Sequence, residues 1–219
     1  MNLFKIADTY AIVQGQAHRP SFWLIAGVHG EEPAPVVAVS KSMTEVFNLC
    51  PIPVVVIPLA NPSGLAMHQR FGDRGVRDGY DFVVDADTLA GLMPPKFVLD
   101  LHEDDELEGG VYVYHHGVDD GLPGLFLEAF KEAHVELLTL GYPRFSDQEV
   151  VDGLVIQQGE DNSIDEYLNL YGAEVIVVET PSKWLLEKRV GVHRLAIQTA
   201  LSILARDNEY VQLSLDLKP

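Results

Sequence analysis

The chain has 219 residues, with 33 Asp and Glu against 15 Lys and Arg, a formal charge of −18 at pH 7. The length favours one domain over residues 1–219 with a sizeable core, and 47% hydrophobic with 22% charged content places it among globular rather than disordered proteins. The acid excess speaks against a nucleic-acid backbone or an anionic membrane surface as partner, because no basic surplus exists to displace counterions or meet anionic lipid. The lone cysteine, Cys50, excludes a disulfide framework and a cysteine-based metal cage.

The first residues lack a basic start followed by a long apolar run, so no secretory signal is read. The longest apolar stretches are strand-sized, well below the ~20 residues that span a bilayer. The expectation is a soluble, cytoplasmic chain, in keeping with the unpaired thiol.

Residues 22–26 (FWLIA) predict a short buried strand ending at Gly27. Residues 33–48 predict a helix, with Pro33 and Pro35 tolerated in its first turn. Residues 54–59 (VVVIPL) give a second strand, rich in β-branched side chains. Asn61-Pro62-Ser63-Gly64 is turn chemistry, and 65–82 reads as a long loop. Residues 96–101 and 111–115 predict two further strands, 122–138 a helix, and 173–179 (AEVIVVE) another buried strand. Residues 183–206 predict an amphipathic helix with Leu185, Val192, Leu195, Ala196 and Ile203 on one stripe. Strands alternating with helices indicate an α/β fold, and nearly continuous apolar strands indicate a sheet covered on both faces. In such sheets, sites form where loops leave the carboxyl ends of strands, here after residues 27, 59, 100 and 178.

The first of these ends carries Gly27-Val28-His29-Gly30-Glu31-Glu32, an H-x-x-E pair that a chain turning into a helix presents on one side. Imidazole nitrogen and carboxylate oxygen both suit Zn²⁺. His102 emerges at the end of the 96–101 strand, at the same sheet edge as His29. Glu179 ends a run of Val and Ile, a costly place for a carboxylate unless it is solvated or paired. Arg70, Arg74 and Arg77 lie in the loop after the second strand. Taken together, His29, Glu32 and His102 would hold one zinc and leave a fourth position for water, as catalytic sites require. Glu179 would take the proton of that water, and an arginine would stabilise the oxyanion of an addition intermediate.

This order of motifs resembles the zinc carboxypeptidase family, whose relatives include murein-peptide amidases and the succinylglutamate desuccinylase/aspartoacylase group. G-V-H-G-E-E is similar to the family's first metal motif, N-P-S-G to its N-P-D-G turn, D-L-H at 100–102 to the third ligand, and V-E-T-P at 178–181 to the catalytic glutamate segment. The resemblance runs from about residue 22 to 205 and implies a three-layer α/β/α fold with a mixed, mostly parallel central sheet. It implies His29, Glu32 and His102 as zinc ligands, Glu179 as base, and Arg70 as catalytic arginine, with Arg74 and Arg77 as alternatives. The family's Asn-Arg pair, which grips a substrate's terminal carboxylate, falls on Gly79 and Tyr80. The bidentate anchor is therefore absent from its usual place, which turns attention to Arg74 and Tyr80 for substrate contact. The family's ligand-orienting Asp falls on Arg77, with Asp78 or Asp81 as substitutes.

The activity implied is zinc-dependent hydrolysis of an amide bond, of carboxypeptidase or peptide-amidase type. An N-acyl amino acid deacylase is the alternative, and a non-catalytic metal-binding module a third reading. The partner is a small peptide or acyl-amino acid; the oligomeric state stays open. Glu103, Asp104, Asp105, Glu106 and Glu108 read as a solvated acidic loop, or more sharply as a rim for cationic substrates or a second metal. His115 and His116 point to opposite faces of a strand, and His18, His134 and His193 are expected at the surface. His68 is a cleft-lining candidate. Phosphate loops and G-x-S-x-G are missing, so nucleotide binding and serine hydrolysis have no support.

Overall fold

The first residues, to which the sequence assigns no element, form an antiparallel hairpin of β1 (Asn2–Ile6) and β2 (Thr9–Gln14). The computed structural model describes residues 1–70, 80–105, 109–119, 121–141, 150–155 and 164–216, with side chains at all of these except 80–85, 140–141 and 207–216. After the hairpin come β3 (Ser21–Ala26), α1 (Pro33–Leu49), β4 (Val54–Ile57), α2 (Pro62–Met67), α3 (Tyr80–Leu92) and β5 (Pro95–Asp104). Then follow β6 (Tyr112–His116), α4 (Leu122–Glu132), β7 (Leu140–Gly141), β8 (Val150–Val151) and β9 (Leu154–Val155). The last elements are α5 (Ile164–Asn169), β10 (Glu174–Pro181) and α6 (Leu186–Asp216).

The strands make one mixed sheet in the order β1-β2-β4-β3-β5-β10-β6-β9-β8-β7. Its centre, β4-β3-β5-β10, is parallel, as the connecting helices require. Antiparallel pairs flank that centre: β2 against β4 on one side and β6 against β10 on the other. Every side chain of β3 and β4 is buried, which explains their unbroken apolar sequences. Alternation assigns the two faces. Phe22, Leu24, Leu99, Leu101, Ile176 and Val178 meet Val39 of α1, Phe126 and Phe130 of α4, and Val192 and Ala196 of α6. Trp23, Ile25, Val98, Val175 and Val177 meet Ala86 and Leu89 of α3 and Ile164 and Leu168 of α5. The result is a three-layer α/β/α arrangement.

Several boundaries differ from the sequence reading, three of them for a clear local reason. The helix predicted over 122–138 stops at Glu132. His134 takes a left-handed φ of 56°, the Val135 N–H closes onto the Phe130 carbonyl, and Leu137 turns back to bridge Val111. The 65–82 stretch is not all loop: Asn61 caps the short α2, and α3 begins at Tyr80. The final helix starts at Leu186, so Leu185 lies outside the core stripe, 78% exposed, with its carbonyl receiving the N–H groups of Lys188 and Arg189. No helix among the described residues is long and apolar enough to cross a membrane.

Phe126 is fully buried, its ring edge-on to Phe97 at 6.3 Å between centroids. Replacing it by Ala should cost about 3–5 kcal/mol of unfolding free energy, read from urea denaturation, because the sheet and α6 on either side cannot collapse into the void.

Candidate functional site

The site is assembled by the loop after β3 and by the carboxyl ends of β5 and β10. Register aligns the two strand ends: Glu179 pairs with His102 on one side and with Tyr112 of β6 on the other, while Thr180 pairs with Glu103. Side chains alternate along each strand, so Asp100 and His102 share the face of Val98, and Glu179 shares that of Val175 and Val177. Glu103 and Thr180 point the opposite way, toward α1 and α6. His29 and Glu32 arrive from the β3–α1 connection. Gly27 makes that turn possible, with φ of 67° and no room for a side chain against Val36 and Leu59. Gly30 allows the same loop to pass against the backbone of Gly64 and Gln69, which a Cβ would strike.

His29, Glu32 and His102 are all buried, and one donor atom from each lies within 4.8 Å of the others. His29 Nδ1 is 2.6 Å from Glu32 Oε1, and His102 Nδ1 is 3.1 Å from Glu32 Oε2 and 3.3 Å from His29 Nδ1. Glu32 Oε2 is closed to solvent and accepts no hydrogen bond of proper geometry. Two imidazoles turning their Nδ1 atoms toward one buried carboxylate, whose Oε2 accepts no hydrogen bond, fit a divalent cation, and this N/N/O set suits zinc. Burial works against the Glu32 charge, but the two imidazoles outweigh it and hold the carboxyl well below its ordinary range. For His102, burial opposes the cation, while Asp100 and Glu32 raise the pKa well above that of a free imidazole.

Asp100 was not singled out from sequence. Its Oδ2 lies 3.2 Å from His102 Nε2, on the far side of the ring from Glu32, so it orients that ring. The signal was there: D-x-H on one strand puts both side chains on one face.

Glu179 is half-buried, its Oε2 closed to solvent and without a hydrogen bond among the described residues. Burial pushes its carboxyl up to about 8, and the negative charges of Glu32 and Asp104 add to this against the pull of His102 and His29. A carboxyl in that range can take and return a proton near neutral pH. Tyr112 beside it donates to Asp104 Oδ2 at 2.6 Å. Burial, followed by the charge of Glu179, holds that phenol neutral well above its usual range.

Arg70 Nη1 donates to Glu31 Oε1 at 3.2 Å and lies 3.6 Å from Glu32 Oε1. Its backbone carbonyl is fixed by Asn61 Nδ2 at 3.1 Å and the Gly30 N–H at 3.4 Å. Asn61 also caps α2 through the Gly64 N–H and donates its own N–H to the Gly27 carbonyl. The N-P-S-G segment therefore ties the Arg70 backbone to the loop that carries His29. Arg74, Arg77 and Asp78 lie outside the described residues, as does Gly79. Tyr80 opens α3, and its side chain, like that of Asp81, is outside the described set.

Two expectations are overturned. Glu103 is not part of a solvated acidic loop: it is 3% exposed, with Oε2 accepting from the Ala34 N–H at 3.1 Å and Oε1 paired to the Arg189 guanidinium. Asp105 is exposed, and Glu106 and Glu108 lie outside the described residues. His193 is not at the surface: it is fully buried on α6 and its Nε2 lies 3.0 Å from Thr180 Oγ1. His18, His68 and His134 are exposed. His115 and His116 diverge, to Glu174 and Asp165.

No family model matches the chain, and no curated protein matches it in sequence. Its fold is similar to that of solved structures. One is a proposed metallopeptidase of Shewanella amazonensis, with TM-score 0.75 and 23% identity over 90% of this chain and 82% of that one. Another is a metallo-carboxypeptidase of Burkholderia cenocepacia, with TM-score 0.63 and 16% identity over 92% of this chain and 61% of that one. A third is the cell-shape determinant Csd4 of Helicobacter pylori in a product-bound form, with TM-score 0.62 and 17% identity over 90% of this chain and 55% of that one. The chain thus has a zinc-carboxypeptidase-like fold and spans little more than half the length of the last two.

Burial pulls the His193 imidazole down to about 3, with the nearby positive His102 and Arg189 adding to the effect and Glu32 opposing it. The folded state thus requires the neutral ring, so its contribution is complete above the unfolded pKa near 6.5 and is lost as pH falls from there toward 3. Between about pH 6.5 and 4.5 the loss from this group is about 2–3 kcal/mol. Urea midpoints of wild type and His193→Gln should therefore converge as the pH is lowered over that interval; parallel curves would show that His193 does not titrate there.

Proposed function

We propose that the chain is a zinc-dependent hydrolase of amide bonds, of carboxypeptidase or peptide-amidase type, acting as a single catalytic domain over residues 1–219. The observation that carries this reading is the convergence of His29, Glu32 and His102 at the strand edge where Glu179 is the register partner of His102. His29 Nδ1, the Glu32 carboxylate and His102 Nδ1 would hold one Zn²⁺. When bound, zinc supplies a water of lowered pKa and polarises a carbonyl oxygen. Glu179 takes the proton of the attacking water on its carboxylate and hands it to the leaving amine. Arg70, held at its backbone by Asn61 and at its guanidinium by Glu31, meets the developing oxyanion. Arg74 and Tyr80 are the proposed substrate contacts. A product-bound and a tripeptide-bound form of Csd4 support a small peptide as substrate class. A cytoplasmic location is part of this reading.

Gly79 and Tyr80, standing where the resembled family has its Asn-Arg anchor, favour a second reading: a deacylase of N-acyl amino acids, which needs no grip on a peptide's terminal carboxylate. Peptides with free and amidated C-termini, offered beside N-succinyl and N-acetyl amino acids, separate the two by relative kcat/KM.

Purified protein should carry about one zinc per chain, and Glu179→Gln should keep that zinc while losing about 10²–10⁴ in kcat. Unchanged turnover would remove Glu179 from the chemistry. The same variant has a stability signature in the metal-free protein. A carboxyl raised to about 8 in the fold costs stability progressively as pH rises from about 4.5 to 8, so Glu179→Gln should unfold at higher urea than wild type near pH 8.

A further inference from the structure

We propose that Glu103 is a positioning residue for the metal centre, clamping the strand end that carries His102 to the helix end that carries Glu32. This rests on the zinc-hydrolase reading above. The argument begins with α1, whose N-cap is Glu32. An N-cap side chain ordinarily accepts a hydrogen bond from a first-turn N–H. Glu32 makes none, because its carboxylate is turned to His29 and His102. Pro33 and Pro35 have no N–H to satisfy, which leaves Ala34 between them as a buried donor in need of an acceptor. Glu103 Oε2 is that acceptor, at 3.1 Å.

Glu103 follows His102 in the chain, and Ala34 stands two residues after Glu32. One carboxylate therefore bridges the two elements on which the ligands ride, from the opposite face of the sheet. Arg189, reaching in from α6, pairs with its Oε1 and supplies the positive charge that a carboxylate buried beside Glu32 needs. Four residues further along α6, His193 meets Thr180, which follows Glu179. That second contact fixes the strand end bearing the proposed base, not one bearing a ligand, so it provides an internal contrast.

The test is Zn²⁺ affinity, measured by competition with a chromophoric chelator on the full chain, together with the absorption spectrum of the Co²⁺ form. Glu103→Ala should bind zinc about 10–100-fold more weakly, the range for groups that orient metal ligands, and should shift the Co²⁺ bands. Glu103→Gln keeps an acceptor for Ala34 and loses the charge facing Arg189, so its affinity should fall between wild type and Glu103→Ala. Thr180→Val should leave zinc affinity unchanged. Leu201→Ala, which opens a void in the core packing of α6 well along from Arg189, should lower stability with zinc affinity unchanged. A folded Glu103→Ala protein with wild-type zinc affinity and an unaltered Co²⁺ spectrum would overturn the proposal, as would an equal loss of affinity in Leu201→Ala. If Glu103→Ala does not fold, Glu103→Gln decides by the same two readouts. A wild-type chain that binds no zinc would instead overturn the reading on which this one rests.

Discussion

Carboxylates buried at the edge of an apolar sheet must find partners, and the arrangement of this site follows from how each one does so. Glu32 lies between two imidazoles. Asp100 faces the outer nitrogen of one of them and has no other partner among the described residues. Glu103 takes the single free N–H of a helix start flanked by prolines and is neutralised by Arg189. The contacts of Glu32 with His102 and of Glu103 with Ala34 and Arg189 join elements far apart in the chain, so satisfying those charges and shaping the site are the same act. The parallel centre of the sheet makes this possible, because only there do several strands end side by side at one edge.

Strand alternation then divides the labour between faces. His102 and Glu179 project to the α3 and α5 side, while their successors Glu103 and Thr180 project to the α1 and α6 side. A one-residue slip of β5 against β10 would bring Glu103 to the face of Asp100 and Glu179 and put His102 into the layer of α1 and α6. The aliphatic runs that precede both ends, buried on both faces, prevent such a slip. Packing of residues such as Leu99, Leu101, Ile176 and Val178 is thus what places the polar groups.

Much of this was legible in the sequence because it is local. Apolar runs of strand length, the H-x-x-E pair leaving a strand, D-L-H at a strand end and V-E-T-P at another are each read within a few residues. What was not legible depends on distant partners. Glu103 sits in a run of acids whose composition signals solvent, and only Ala34 and Arg189, 69 and 86 residues away, make it a buried group. His193 looks like a polar residue on a surface helix until Thr180 is brought beneath it. The end of α4 escaped for a related reason: Glu136, Leu137 and Leu138 continue a helical pattern, and the left-handed turn at His134 is chosen by the bridge to Val111 rather than by helix propensity.

Glu179 is the exception among the buried acids, and the exception fits the proposed chemistry. Its neighbours Glu32 and Asp104 repel its charge, Tyr112 gives its hydroxyl to Asp104 instead, and its own inner oxygen takes no hydrogen bond among the described residues. A carboxyl in that position is driven up to about 8, whereas Glu32, more deeply buried, is driven down by its imidazoles. Two acids at one sheet edge are therefore pushed apart in pKa by surroundings alone, the pattern that separates a permanently charged group from one that exchanges a proton. In the reading proposed above, the first is the ligand and the second the base. Partnering Glu179 as securely as Glu103 is partnered would make the fold more stable, and would remove the carboxyl that exchanges a proton in that reading.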